Sequence, residues 1–584
     1  MSELFPLPLV TILGVMESGN YDNEPILLTD GLSGQGYVIG IADTGLDIYS
    51  NYFYDNVTVE FNAALPNTQH RKIVSYTYKV GGNTYGDSTD SSSEGYHGTH
   101  VCGISVGLAW QDYGDYQRFN GIARRAKIAF FDIQAGTSAI TIPPNLDTDL
   151  LGTMHNMGAS VFSNSWGENA TSGYDTSAKS IDSFLQSHLD TLVFFAAGNE
   201  GDPNLTPAVN PVSSINTPGV FKNGLTVGAG LNDHQSWLSY TFGAADGNFN
   251  PDALAKFSSR GPTFDGRIKP EVVAPGFFVT SALGSSTGSY HTGVVGKAGT
   301  SMASPNAAAM ALVVKEYFES GYYYTGSRNS SASFTPSGAL LKAILIASGR
   351  QMSTIFSTYD GGNTYTVTGL SGYPSNDQGY GRVQLDKVLN FARSGNDPLS
   401  LFVVGDMNSS SPMYKNFTAA GQYHTYTFRV SSVQSVRIVL CYTDPVPASG
   451  VSPIMVNDLR VSVSGGGNTF SAYTTYANTF QVVDLTASAN TVYTVNVTAN
   501  TIEPSPYSGQ QTYALVIVGA VTPLPAVGPN ESLLQSNLSL QTIPFIPAII
   551  SMSIISFFIL VAILTILIAN RWPASSGFFR KIRW

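Results

Sequence analysis

Four short segments of this 584-residue chain set an acid, a base, a hydroxyl and an amide where apolar runs end or begin. Asp43 stands in Ile41-Ala42-Asp43-Thr44-Gly45-Leu46-Asp47, at the carboxyl end of an apolar run. Ligands of open α/β sheets bind at such strand ends, although a plain turn aspartate has the same signature. His97 lies in Gly95-Tyr96-His97-Gly98-Thr99-His100-Val101-Cys102-Gly103. Two histidines three apart face one way on a helix, so a zinc site competes with a general base here. No glutamate sits between them as a zinc-protease helix requires, and no third ligand stands out nearby. His97 is therefore the better base, and His100 reads as a packed, hydrogen-bonded histidine. Ser301, in Gly299-Thr300-Ser301-Met302-Ala303-Ser304-Pro305, precedes an alanine-rich helical run. Its hydroxyl would sit in the positive field of a helix N-terminus, and its N–H, without an intrahelical acceptor, would be open to a ligand. In isolation the segment reads equally as a serine N-cap. Asn199 ends the run Leu192-Val193-Phe194-Phe195-Ala196-Ala197-Gly198, from where its amide can donate to a developing oxyanion beside the Ser301 N–H.

The surrounding pattern says what must hold these groups. Tyr37 to Ala42, Lys127 to Phe131, Ser160 to Ser163 and Thr191 to Phe195 are apolar on successive residues. That suits strands of a parallel sheet covered on both faces. Helical stretches such as Asp147 to Gly158 and Thr176 to His188 fall between them, giving an α/β, doubly wound, mostly parallel sheet. After about Gly395 the texture changes. Tyr423 to Val430, Ser435 to Tyr442, Leu459 to Val463 and Thr491 to Val497 are rich in Val, Thr and aromatics and broken by Gly, Asn, Ser and Pro. Short strands without helices predict an all-β sandwich.

Asp-Thr-Gly, His-Gly-Thr-His-Val, Ala-Ala-Gly-Asn-Glu-Gly and Gly-Thr-Ser-Met-Ala-Ser-Pro resemble the four signature segments of the subtilases, in that family's order. The resemblance covers roughly residues 30–390 and takes in Ser258-Ser259-Arg260-Gly261-Pro262, the run from Lys269 to Gly276, and Gly379-Tyr380-Gly381-Arg382-Val383. It implies a subtilisin-like fold and a serine endopeptidase that works through an acyl-enzyme. Ser301 would be the nucleophile, His97 the general base and acid, Asp43 the group that orients the imidazole, and Asn199 an oxyanion-hole donor. Ser165, Trp166 and Gly167 match the segment that pairs with the substrate backbone and edges the pocket for the residue before the scissile bond. Trp166 is bulky for that place and is expected to narrow or reshape the pocket. No cofactor is implied for the chemistry. Structural calcium is common in the family, and the acidic loop from Gly86 to Glu94 is the candidate, with an ordinary solvated loop as the alternative; no metal residues are assigned. Val456-Asn457-Asp458-Leu459 resembles part of a C-terminal jelly-roll-like module of some subtilases, which would act as stabiliser, substrate-positioning module or spacer.

Composition bounds the rest. The net charge of -11 argues against nucleic acid, whose phosphates require a basic surface, and says little about substrate; protein or peptide substrates are what the subtilase resemblance implies. Cys102 and Cys441 form no disulfide framework and read as small core residues. Phe545 to Ala569 carries no charge and is long enough to span a bilayer. The tail beyond it holds Arg571, Arg580, Lys581 and Arg583 and no acid, which places it in the cytoplasm. The expected layout is an N-terminal segment 1–29, a catalytic domain 30–395, a β-sandwich 396–522, a stalk 523–544, a transmembrane helix 545–569 and a basic tail 570–584. The apolar stretch 1–16 is a poor signal peptide because Glu3 replaces a basic start. Together with the short segment before the first strand, this suggests an N-terminus truncated or already processed. Nine Asn-x-Ser/Thr sequons, at Asn56, Asn169, Asn204, Asn329, Asn408, Asn416, Asn496, Asn530 and Asn537, permit a glycosylated ectodomain. A tail-anchored protein with its protease facing the cytosol is the rival topology. A catalytically dead binding ectodomain is the rival function. Neither oligomeric state nor substrate can be read.

Overall fold

The computed structural model describes residues 31–56, 65–78, 95–111, 116–134, 140–168, 173–202, 213–232, 250–277, 279–323, 325–359, 364–370, 372–392, 400–448, 454–472, 477–519 and 521–523, with Met16. The segment 1–29 (Met16 apart), the acidic loop 86–94, the stalk beyond Pro523, the apolar stretch 545–569 and the basic tail lie outside the described residues. Among the described residues, no helix is long and apolar enough to cross a membrane.

The apolar runs form strands β1 (Val38–Asp43), β2 (Ile73–Tyr78), β3 (Lys127–Asp132), β4 (Ala159–Asn164), β5 (Leu192–Ala196), β6 (Leu225–Leu231), β7 (Ala253–Ala255) and β8 (Val272–Phe277). Behind them come the hairpin strands β9 (Val279–Ala282) and β10 (Val294–Lys297), then β11 (Thr354–Tyr359) and β12 (Thr364–Gly369). Strands β2, β3, β1, β4, β5 and β6 lie side by side in that order, all parallel. Strand β8 runs parallel to β6, while β7 and β12 join antiparallel to β6 and β11. Strand β1 sits between β3 and β4, so the chain winds outward from it in both directions. Crevices open at the carboxyl ends of strands where the winding reverses. Strands β1, β3 and β4 are buried along almost their whole length, as expected when helices cover both faces.

Four helices matter for the site: α1 (His97–Val106), α2 (Thr176–Ser187), α3 (Thr300–Glu319) and α4 (Gly338–Ser348). Helix α2 is the amphipathic one. Asp175 caps it by accepting the Ala178 N–H at 2.8 Å, and its Ile181, Phe184 and Leu185 face the sheet. Helix α3 is buried nearly all round, which the small side chains Ala303 and Ala307 to Ala309 permit.

The β-rich part comprises β13 (Ser400–Val404), β14 (Asn416–Phe417), β15 (Tyr423–Val430), β16 (Gln434–Cys441), β17 (Asp458–Gly465), β18 (Asn468–Ser471), β19 (Phe480–Ala487), β20 (Thr491–Thr501), β21 (Gln511–Thr512), β22 (Ala514–Gly519) and β23 (Val521–Pro523). Strands β13, β22, β16 and β19 form one antiparallel sheet, and β18, β17, β20, β15 and β23 another. An apolar cluster including Ile438, Leu440, Leu515, Val461, Val495 and Val497 joins the two. Alternate residues of β17 and β20 are buried, the pattern of a sheet with one wet face. Strand β22 is buried throughout, because its sheet is covered on the far side as well. There Val439, Val482, Ala514 and Val516 share one cluster with Leu341, Ile344 and Leu345 of α4. The α/β and β-rich parts accordingly belong to one compact unit, Met1–Pro523. Cys102 on α1 and Cys441 on β16 are unbridged and fully buried.

Candidate active site

Strands β1, β4 and β5 are neighbours, and their carboxyl ends deliver Asp43, the segment Ser165-Trp166-Gly167 and Asn199 to one edge of the sheet. Helices α1 and α3 begin at the same edge with His97 and, one residue into α3, Ser301. All seven residues expected from the sequence line one cleft of about 350 Å³, together with Thr44, Ile133, Ile140, Ala196, Gly198, Glu200, Asn216 and Thr300.

Asp43 is 1 % exposed. Its Oδ1 accepts from His97 Nδ1 at 2.7 Å and from the Thr44 N–H at 2.8 Å. Donating from Nδ1 fixes the tautomer of the neutral ring: its proton sits on Nδ1 and Nε2 keeps its lone pair. Thr44 Oγ1 in turn accepts the Gly98 N–H at 3.1 Å, tying the strand end to the first turn of α1. Helix and strand come so close that a Cβ on Gly98 would stand 2.0 Å from the Gly45 carbonyl oxygen. Only glycine fits there.

His100, one turn along α1, points away from the cleft. Its Nε2–H is shared between the carbonyls of Val279 and Val295, each at 3.0 Å, and Nδ1 is buried without a partner. Burial pushes this imidazole down to about 3. It pins α1 to the β9–β10 hairpin and stays uncharged at neutral pH, with its single proton on Nε2.

Ser301 is held by a device that Pro305 makes necessary. A proline at the sixth position of α3 has no N–H for the carbonyl four residues back. That carbonyl belongs to Ser301, and Ser165 Oγ donates to it at 2.7 Å. In return Ser301 Oγ lies 3.3 Å from the Ser165 carbonyl. Strand β4 and helix α3 are joined again below by Ser163 Oγ and Ser304 Oγ, 3.2 Å apart.

Asn199 is aimed by Thr300. Its Oδ1 accepts from the Thr300 N–H at 2.9 Å and from Thr300 Oγ1 at 3.1 Å, so the amide presents its N–H₂ end to the cleft. Gly198, at φ 109°, makes the turn after β5, and a side chain there would collide with Glu200 and Asn216. The indole of Trp166 packs edge-on against Phe195 with ring centroids 5.0 Å apart and is 7 % exposed. It belongs to the apolar cluster behind the wall and also lines the cleft.

The sequence alone assigns no role to Thr300, Thr44, Asn216 or Pro305. Thr300 and Pro305 flank Ser301 within one motif, and a proline four residues after a candidate nucleophile is a legible sign that its carbonyl needs another donor. Asn216 lies in no motif and gave no signal.

The Peptidase_S8 subtilase family matches residues 34–381, which holds the whole of this cleft. The chain belongs to the subtilase family. Among curated relatives, this subtilase is 29% identical over 546 residues to the Dictyostelium discoideum serine protease/ABC transporter B family protein tagD, covering 76% of this chain and 28% of that protein. It is 28% identical over 365 residues to pyrolysin of Pyrococcus furiosus, covering 52% of this chain and 24% of that one. The chain thus spans under a third of the curated relatives it matches first. Among solved structures, the protease domain of PatA is 20% identical with a TM-score of 0.37, covering 55% of this chain and 90% of that one.

Proposed function

We propose that this subtilase is a serine endopeptidase with Asp43, His97 and Ser301 as its triad. The observation that carries the reading is the His97 Nδ1 to Asp43 Oδ1 bond of 2.7 Å, in a cleft that Ser301 and Asn199 also line. Ser301 Oγ attacks the scissile carbonyl while His97 Nε2 takes its proton. The tetrahedral oxyanion is met by the Ser301 N–H and Asn199 Nδ2. His97 then protonates the leaving amine, the C–N bond breaks, and an acyl-enzyme remains for water to hydrolyse. Asp43 holds the imidazole and stabilises its charged form. An extended peptide adds along the backbone of Ser165-Trp166-Gly167. An intact set of four groups weighs against a binding protein that has lost its chemistry.

The uncharged stretch 545–569, followed by a basic tail, supports anchoring to a membrane with residues up to 523 on the outer or luminal side. Both halves of this reading meet in one experiment. Intact cells are labelled with a membrane-impermeant fluorophosphonate, beside permeabilised cells and Ser301→Ala. Labelling of intact cells that the substitution abolishes is the expected result. Labelling only after permeabilisation overturns the outer-surface topology and leaves the enzyme standing. Labelling that survives Ser301→Ala overturns the nucleophile.

A further inference from the structure

The β-rich part reaches the substrate cleft through buried polar contacts. The segment 213–224 meets the cleft at Asn216, which lines it. Its far end, Lys222-Asn223, is 1 % and 3 % exposed and is gripped from two sides. On the catalytic side, Asp182 of α2 accepts the N–H groups of Lys222 and Asn223 at 2.9 Å each. On the β-rich side, the Lys222 ammonium pairs with the Asp444 carboxylate and donates to the carbonyls of Pro445 at 2.6 Å and Ile454 at 3.0 Å. The Asn223 side chain makes a reciprocal pair with the Asp444 backbone. Its Nδ2 donates to the Asp444 carbonyl at 2.8 Å and its Oδ1 accepts the Asp444 N–H at 2.9 Å. Thr479 Oγ1 donates to the Lys222 carbonyl at 2.6 Å. The Asp444 carboxylate is itself fixed by the N–H groups of Val456 and Asn457, at 2.9 Å and 2.7 Å.

Two fully buried opposite charges from regions over 200 residues apart are a costly way to hold two domains together, since apolar residues do that as well or better. What such a pair adds is a single geometry. At the other end of the same segment, the Asn216 N–H donates to the Ala197 carbonyl at 2.9 Å, next to the turn bearing Asn199. The Thr217 carbonyl accepts the Glu168 N–H at 2.9 Å, one residue past Gly167. Five residues separate Asn216 from Lys222, the fully buried Phe221 among them. The Asp444 grip is thus joined by a short stretch of chain to the backbone contacts at Ala197 and Glu168, beside Asn199 and Gly167.

We propose that Asp444 is a positioning residue for the substrate cleft, setting the wall at Asn216 through Lys222 and Asn223. The β-rich part is then a component of side-chain selection beside the scissile bond. This rests on reading the cleft as a peptide site, and the test separates the two. In the full chain, Lys222→Met with Asp444→Asn removes the charges together, and Asn223→Ala cuts only the reciprocal amide contacts. A control, Val495→Ala, opens the β-rich core away from the contact. Hydrogen exchange of residues 213–224 is compared with selectivity, the ratio of kcat/KM values across peptides differing only before the scissile bond. Roughly tenfold faster exchange confined to this segment is expected in both test variants, with altered selectivity, and in neither respect for the control. Unchanged exchange overturns the proposal whether or not peptides are cleaved. Faster exchange with unaltered selectivity overturns the claim on selection. Selectivity that shifts equally in the control reduces Asp444 to a stabilising role. Absence of cleavage by the wild type overturns the peptidase reading, and the exchange arm still decides whether Asp444 positions the wall.

Discussion

At the scale of the residue, the pair Ser165 and Pro305 shows how a nucleophile is aimed by something other than its base. Pro305 withdraws the N–H that would have engaged the Ser301 carbonyl, and Ser165 Oγ supplies the replacement. Ser165→Ala is expected to leave that carbonyl unpaired at a cost of about 1–3 kcal/mol. A displaced Ser301 should also lower kcat by roughly tenfold to a hundredfold. Urea unfolding and active-site-titrated kinetics measure the two effects. Adding Pro305→Ala restores a helical donor, so the double variant should regain most of the stability. If it does not, the hydroxyl contributes in some other way. The residue types at this site were readable in advance because they sit in short motifs at element ends. Their orienting partners were not: Thr300 and Thr44 act through side-chain bonds to residues far away in sequence, whose distances only the fold sets.

At the scale of the element, strand ends and helix starts were legible. The run of unbroken apolar residues identifies β1, β3, β4 and β5, and the reading that placed Asp43 at the end of β1 agrees with the structure. Helix α2 was visible as a periodic stretch ending one residue later than it does. The approach of α1 to β1 was not visible, because it depends on a missing side chain. Gly98→Ala puts a Cβ 2.0 Å from the Gly45 carbonyl oxygen, so backbone must shift. The expected outcome is a helix pushed outward, loss of the His97 to Asp43 bond and kcat lowered by a hundredfold or more, on the order of what misplaced catalytic groups cost. A variant with unaltered kcat and melting temperature would mean that the turn at Gly45 is softer than its contacts indicate. Four of the β-rich strands are legible in the sequence: β15 to the residue, β16 to within one, while β17 runs one residue earlier and two later than its apolar run and β20 four residues later. The double burial of β22 carried no such signal, because an unbroken apolar run does not say what covers its second face.

At the scale of the whole molecule, acid should act on packing before it acts on surface charge. His100 is held down to about 3 and His70 to about 4, in each case mainly by burial. His70 Nδ1 accepts the N–H groups of Lys72 and Ile73, at 3.1 Å and 3.0 Å, which a proton there would break. In the unfolded chain an imidazole takes its proton near about pH 6.5. Between that value and the folded values the unfolded state binds more protons, so stability is full above about pH 6.5 and falls as pH drops toward about 4. Urea midpoints at neutral and acid pH should show the fall, and His100→Gln should lessen it. A midpoint independent of pH across that range would show that these imidazoles charge without opening the fold. The two cysteines carry a different consequence. One lies on a helix of the catalytic layer and the other on a strand pressed against α4; burial pushes the second thiol up to about 12. Neither is available to an alkylating reagent until its own layer parts. The chain therefore contains two internal clocks, and the rate at which each sulfur is consumed reports how often the catalytic layer and the β-rich layer separate from their neighbours.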